Sequence, residues 1–406
     1  MDLLSNLAMG FGVAVSFENL LWCFVGVFLG TFIGVLPGIG SLATISMLLP
    51  IPFHLPPTAA IIMLAGIYYG ANYGGWTASI LLNLPGTPSA AVACIDGYPM
   101  SKKGRGGVAL MITTLASFFG STVGILVFTA FAPSLAEVGL MFGPADDFAM
   151  MLLGLVAAST LSSGAPVKGI AMVACGLTLG LVGTDVQTGQ QRFTFDIPQL
   201  SDGIGLGVLA MGMFGVAEAI ASIGRVSGGG AQYGSSVLPW KGAFWTAMNP
   251  SKEDWKRTPG PMVRGSLWGC FFGTLPGTGS TIASFMSYAF EKKISKTPER
   301  FGQGAIEGVT APESANNAAS QTAFIPTLTL GIPGDVVMAL MLGALIIQGI
   351  QPGPRLVTEH PQLFWGLAAS FWIGNVMLLI LTLSLIGLWV AMLRIPYVIL
   401  YPSILI

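Results

Sequence analysis

Hydrophobic positions run along this chain in blocks long enough to cross a bilayer, and polar positions are confined to the gaps between them. Apolar runs occupy 107–132, 204–222 and 361–393, with shorter or interrupted ones at 20–52, 58–100, 148–183, 262–290 and 301–350. A membrane-spanning helix needs about 20 apolar residues, so the pattern predicts an all-α polytopic membrane protein. The interruptions have a common form. "GVLPGIGSLATISMLLP" at 34–50 and "GTLPGTGSTIASFMSYAF" from 273 each place a Pro-Gly step and a further glycine inside an apolar run. Proline lacks an N–H and glycine permits positive φ, so each step is expected to end one helix and begin another at membrane depth.

The breaks repeat. A shift of 239 positions aligns 26–41 with 265–280, and nine of the sixteen positions are identical. A second match, at a shift of 248, pairs "LNLPGT" at 82–87 with "LGIPGD" at 330–335. Each half therefore carries two Pro-Gly breaks in the same order. The expected organisation is a first repeat core over 1–105, transmembrane helices over 106–223, a cytoplasmic connection over 224–264, a second core over 265–355 and C-terminal transmembrane helices over 356–406. Segment 265–290 lies between Arg264 and Lys292 and is expected to fold back as a re-entrant hairpin with its tip at Pro276-Gly277. Segment 22–52 is expected to do the same around Pro37-Gly38.

Composition agrees with the pattern and charge orients it. Hydrophobic residues make up 53% of the 406 and charged ones only 9%, where soluble domains carry about 25%; the mean hydropathy is +0.76. Net charge is −1, but no Lys or Arg precedes Lys102, three sit at Lys102, Lys103 and Arg105, and ten lie between Arg225 and Arg300. By the positive-inside rule both regions face the cytoplasm. Loops at 133–147 and 184–203, which carry Glu137, Asp146, Asp147, Asp185, Asp196 and Asp202 against Arg192, then face outward. Because the basic cluster follows the second break in one half and the first break in the other, the halves are expected to be inverted, a recurring plan of secondary transporters. Cys23, Cys94, Cys175 and Cys270 lack a metal or redox spacing and read as packing residues. His54 and His360 read as surface loop residues. No secretory signal is apparent, and the last residues, "YPSILI", lie in a fresh apolar segment, so the chain is expected to be part of a longer protein.

The half-helix that begins after each break presents free N–H groups and a positive dipole end, which suits a carboxylate. Four such termini follow Pro37, Pro85, Pro276 and Pro333. Gly38, Gly40, Gly277 and Gly279 would let backbone amides approach an anion closely, and Pro85, Gly86, Thr87, Pro333 and Gly334 complete the expected substrate site. Ser41, Ser280 and Thr281 add hydroxyls for the anion or for a sodium ion. A bare kink is the alternative at any one break; four breaks in repeated order argue against it. Thr87 before Pro88 reads as an N-cap, and Asp335 can cap "VVMALMLGAL". An ionised Asp335 would repel an anion, so it is expected to be a cap or a cation partner.

A polar island, "APESANNAASQTAF" at 311–324, supplies Glu313, Asn316, Asn317 and Ser320, and the first half supplies Asn72 and Asn83. These offer oxygen ligands to a hard cation such as sodium; interhelical packing worth about 1 kcal/mol is the alternative. Glu218 and Glu307 are placed at the cytoplasmic interface, outside the site. No phosphate loop is present to couple ATP, and no nucleophile elbow or His-Glu pair supports an intramembrane enzyme. Moving one charge through 100 mV costs about 2.3 kcal/mol, so a dianion entering against an inside-negative potential needs at least two co-transported cations. Sodium and protons both remain open as the coupling ion, and the shortage of buried carboxylates and histidines favours sodium.

"GVLPGIGSLATISMLLP", "YYGANYGGWTASILLNLPGTPSA", "APESANN" and "TLGIPGD" together resemble the large membrane subunit of the tripartite tricarboxylate transporters, the TctA family, and the resemblance runs along essentially the whole chain. It implies a bacterial inner-membrane protein working with a small membrane subunit and a periplasmic solute-binding protein that delivers the organic acid anion. Nucleic acid is not among the expected partners. It also implies cation-driven import of di- or tricarboxylates, inverted repeats and an elevator-like movement. A self-sufficient sodium/carboxylate symporter and a passive anion channel are the competing readings. The chain departs from the family in its shorter length and in Asp335, which stands where relatives often have a small uncharged residue. Amide and hydroxyl groups do not encode which carboxylate is carried.

Overall fold

The computed structural model describes residues 3–36, 40–141, 143, 145–146, 148–149, 152, 155–156, 166–184, 190–201, 203–204, 208–209, 211–217, 220 and 248–393. The first broken run forms separate helices, as its Pro-Gly step predicts. After α1 (Leu3–Ala14), α2 (Phe17–Val35) starts at Ser16, whose hydroxyl accepts from the Asn19 N–H, with Glu18 in its first turn where the dipole favours it. It stops at Leu36, which is extended, with its N–H closing on the Ile33 carbonyl. Helix α3 (Gly40–Leu48) opens after the break and α4 (Pro57–Leu82) follows. Pro37 and Gly38 lie outside the described residues.

Beyond the second break a 3-10 turn at Ser89–Val92 leads into α5 (Ala93–Lys102), then α6 (Gly106–Gly139) and α7 (Pro166–Gly180). A two-residue antiparallel ladder pairs Gly183–Thr184 with Gln191–Arg192. The second half comprises α8 (Lys252–Arg257), α9 (Pro259–Thr274), α10 (Gly279–Ile294), α11 (Ile306–Thr322), α12 (Phe324–Leu330), α13 (Val336–Ile347), α14 (Leu356–Glu359), α15 (Pro361–Ser384) and α16 (Ile386–Met392). Helices α2, α6 and α15 are long and apolar enough to cross a membrane.

Two boundaries differ from expectation. The stretch from 133 is not a loop: α6 continues through Pro133 to Gly139, because Ala136 and Gly139 are buried and Gly139 packs on Pro354 and Leu330. The run 361–393 is interrupted at Leu385, where α16 begins. Of the run 204–222, the described residues include a π-helical turn at Met211–Val216. Cys23 and Cys270 are buried as packing residues, whereas Cys94 is half-buried and Cys175 is exposed on α7.

Helices α4 and α11 form the centre. Every residue of α11, and every residue of α4 from Ala59 to Leu81, is buried. The shift of 248 maps the span of α4 onto 305–330, the span of α11 and α12 together. Each central helix is met by a glycine ridge. A β-carbon on Gly26, Gly30 or Gly34 of α2 would overlap the carbonyl oxygens of Met63, Ile67 and Ala71 on α4. One on Gly265, Gly269 or Gly273 of α9 would overlap those of Ala311, Ala315 and Ala319 on α11, the same positions under the two shifts. Small residues let membrane helices approach closely enough for dispersion to hold them.

The long helices cross between halves. From the first half, α6 packs on α11 and α9, with Gly120 against the Ser314 carbonyl; from the second, α15 packs on α1, α2 and α4. Helix α6, 34 residues long, rises about 51 Å at 1.5 Å per residue. Near its start, Arg105 pairs with Asp254 at 2.6 Å and Lys103 donates to the Gln303 carbonyl at 2.6 Å. There too, the buried Asp96 accepts from Tyr288 and from the backbone N–H groups of Gly302, Gly304 and Ala305. The described parts of the two basic regions therefore share one end. Arg264 and Glu291 form a bidentate pair at 2.9 and 2.6 Å, so α9 and α10 fold back as the expected hairpin. At the far end of α6, Gly139 meets Pro354, while Gln348 after α13 donates to the Pro52 carbonyl at 2.5 Å.

Candidate functional site

The first break of each half has the same local geometry. Leu36 and Leu275 are equivalent extended residues closing α2 and α9, and Gly40 and Gly279 then open α3 and α10 with φ of +67° and +61°. Positive φ of that size is left-handed backbone that favours glycine. The second breaks match as well. Asn83 ends α4 at φ 59° and Gly331 ends α12 at φ 69°, both left-handed.

Within each half the two breaks touch. The Gly277 N–H donates to the Gly334 carbonyl at 3.0 Å, and a β-carbon on Gly279 would stand 2.9 Å from that of Asp335. In the first half Gly86 lies against the Gly34 carbonyl, its N–H donates to Gly75 at 3.3 Å, and Gly40 faces the Gly86 carbonyl. Side chains then join the halves. The Tyr68 hydroxyl donates to Asp335 Oδ2 at 2.6 Å, with Ser280 and Ser320 beside it. Asn72 Nδ2 donates to Ser320 Oγ at 2.7 Å. Asn72 and Ser320 are equivalent under the shift of 248, so the two cores meet at this level.

The sequence-derived candidates fall into groups. Ser41, Thr87, Gly86, Gly277, Gly279, Ser280 and Gly334 are buried around the breaks, while Gly40, Thr281 and Pro333 are half-buried and Pro85 is exposed. Gly38 lies outside the described residues. Asp335 caps α13, its Oδ1 accepting from the Met338 N–H at 2.9 Å. Thr87 does not take the expected capping role. The chain enters a 3-10 turn capped by Pro88, and the Thr87 hydroxyl pairs with that of Ser89 at 3.1 Å. Asn83 is exposed at the end of α4 and stands apart from the buried polar residues. Glu307 pairs with Arg257 and Arg300 at the basic end; Glu218 lies outside the described residues.

The polar island is the fully buried helix α11. Glu313 Oε1 accepts from Ser117 of α6 and from Asn317 Nδ2 at 2.7 Å. Ser320 Oγ donates to the Asn316 carbonyl at 2.8 Å while accepting from Asn72. Both side-chain polar atoms of Asn316, Glu313 Oε2, Asn317 Oδ1, Gln321 Oε1 and Ser121 Oγ have no hydrogen-bond partner among the described residues. Buried polar groups are normally paired, so these unpartnered atoms mark α11 as a candidate ligand site.

Sequence reasoning missed Tyr68, Ser117 and the chain in which Tyr73 donates to Asn375 at 2.6 Å and Asn375 donates to Thr122 at 3.1 Å. For Tyr68 a signal existed, since it precedes Asn72 by one helical turn. For Ser117 there was one too, since Thr113, Ser117 and Ser121 recur one turn apart along α6; Asn375 is a single polar residue in an apolar run and carries no local pattern.

A sequence model described as the Tripartite tricarboxylate transporter TctA family matches residues 20–406. Among relatives, the Agrobacterium vitis "Uncharacterized 52.8 kDa protein in TAR-I ttuC' 3'region" is 52% identical over 406 residues, all of this chain and 79% of its own. A second protein of that organism, "Uncharacterized protein in TAR-II ttuC' 3'region", is 63% identical over 138 residues, covering 34% of this chain and 57% of its own. No solved structure gives a significant match.

Proposed function

This chain belongs to the tripartite tricarboxylate transporter TctA family, and from that premise we propose that it is the permease subunit of a cation-coupled, binding-protein-dependent importer of di- or tricarboxylates. The observation that carries the reading is the junction of the breaks: Gly40 and Gly86 in one half, Gly277, Gly279 and Gly334 in the other, bridged by Tyr68–Asp335 and Asn72–Ser320. Irregular backbone at membrane depth is tolerated where it is buried in protein or lines a cavity, and the starts of α3 and α10 favour an anion, whereas the start of α13 is capped by Asp335 and the Gly86 and Gly277 N–H groups are already bonded. Ser41, Thr87, Ser280 and Thr281 supply hydroxyls to the carboxylates. Glu313, Asn316 and Asn317 are assigned to cations, Asn72 and Ser320 to the bridge between the halves, and the exposed Asn83 to capping.

The halves are read as an inverted repeat in a bacterial inner membrane. Support comes from the two ends of α6. The open end of the α9–α10 hairpin lies with the basic residues, whereas the chain after α3 lies with Gln348 at the other end. An elevator-like movement would carry the junction between the two faces. The small membrane subunit and the periplasmic binding protein follow from the family's tripartite organisation.

The test is uptake of radiolabelled di- and tricarboxylates into proteoliposomes, with and without the small subunit and binding protein, under a sodium or a proton gradient. Uptake requiring both the binding protein and a sodium gradient is expected. Gradient-driven uptake without the binding protein would make the chain a self-sufficient symporter, and non-saturating flux without cation dependence would make it a channel.

A further inference from the structure

Glu313 has no exposed surface, and its partners among the described residues are Ser117 and Asn317, neither of them cationic. An ionised carboxylate in that position is strongly unfavourable without a counter-charge. Its Oε2 has no partner among the described residues, and neither has Asn317 Oδ1 one turn further along the helix. Asn317 presents Oδ1 because its Nδ2 is committed to Glu313 Oε1, and Ser121 Oγ lies across from it beside the Tyr73 hydroxyl. Glu313, Asn317 and Gln321 stand one turn apart along α11, facing Ser117 and Ser121, one turn apart along α6. The two stripes are in contact, since Gly120 packs on Ser314 and Gly124 on Ala318 and the Gln321 β-carbon. Tyr73 closes the strip from α4, near Ser121 and Glu313, with its hydroxyl proton given to Asn375.

We propose that this strip between α6 and α11 is a monovalent-cation site, with sodium held by Glu313 Oε2, Asn317 Oδ1 and the Ser121 hydroxyl. It rests on the cation-coupled reading and deepens it by separating the cation from the break junction. One positive charge cancels one carboxylate, leaving a neutral site at membrane depth; a divalent ion would leave it charged. Oxygen donors without sulfur or imidazole suit a hard cation. Coupling is built in, because Ser320 on the same helix holds Asn72 across the junction. A cation that fixes Glu313 and Asn317 also fixes the helix face that meets the other half.

The experiment is equilibrium binding of radioactive sodium to the purified full chain in nanodiscs, without carboxylate. Wild type is expected to bind, and Glu313→Gln to lose about tenfold or more in affinity while its amide oxygen still accepts from Ser117 and Asn317. Ser121→Ala weakens binding in the same direction, and the exposed Glu359→Gln leaves it unchanged. Sodium binding unaffected in a Glu313→Gln protein that elutes like wild type overturns the proposal. So does absence of sodium binding by wild type; if Glu313→Gln then abolishes proton-driven uptake, the strip is a proton site. Carboxylate uptake by the complete transporter is read separately, so the importer reading can fail while the sodium site stands.

Discussion

Asp335 accepts through both oxygens, from the Met338 N–H on its own helix and from Tyr68 on α4 of the other half. Asp335→Ala removes a cap worth about 1 kcal/mol and strands a buried hydroxyl, at about 1–3 kcal/mol. The purified variant is expected to melt below wild type, and Asp335→Asn, which keeps an oxygen for Met338, close to it. Equal melting of all three would refute the double role. Asp254 sits on α8, outside the apolar segments, 2.6 Å from Arg105 and in a capping box with Ser251. Burial pushes its carboxyl up, but the hydrogen bonds from Arg105 and Ser251 outweigh burial and hold it below its ordinary 3.8. A depressed folded-state value contributes stability above the unfolded value, and the contribution is lost as pH falls through the folded one. Wild type should therefore melt above Asp254→Asn at neutral pH, with the gap closing below about pH 4; a gap independent of pH would contradict the assignment.

At the scale of elements, the paired glycine ridges decide how close α2 and α9 come to the central helices. A β-carbon on Gly269 would meet the Ala315 backbone, with its Cα at 2.8 Å, and neither side can move without separating α9 from α11. Gly269→Ala is expected to destabilise the protein by about 1–3 kcal/mol, read as denaturant or thermal unfolding in detergent. Gly176→Ala on α7, where a β-carbon meets nothing within 4 Å, should be neutral or mildly stabilising; similar losses in both variants would dismiss the ridge. These elements were legible in sequence because breaks and glycine spacing are local: Pro37-Gly38 recurs as Pro276-Gly277, and Gly26, Gly30 and Gly34 recur as Gly265, Gly269 and Gly273. The hairpin at 265–290 followed from charge at Arg264 and Lys292. The crossing of α6 and α15 between halves was not legible, since a uniformly apolar helix does not name its partner. For the same reason Asn375 gave no warning of its contact with Tyr73.

For the whole molecule, charge and packing make the same statement about sidedness from independent facts. Arg105 pairs with Asp254, Arg264 with Glu291, and Arg257 and Arg300 share Glu307, with Glu253 also on Arg257, so these basic residues are held by acidic partners on loops and helix ends. The turns around Pro52, Gln348 and Pro354 meet at the far end of α6, where Arg355 is the basic side chain. Positive charge is retained on the cytoplasmic side, so in the proposed orientation Glu299 is expected inside and Glu359 outside. In a background with the four native cysteines replaced, Glu299→Cys should react with an impermeant thiol reagent only after the inner face is opened. Glu359→Cys should react in intact spheroplasts. Labelling of both positions from one face would overturn the proposed inverted arrangement. Labelling of Glu359→Cys from outside would give the proposed importer its direction, since the proposed binding protein would approach the junction from that face.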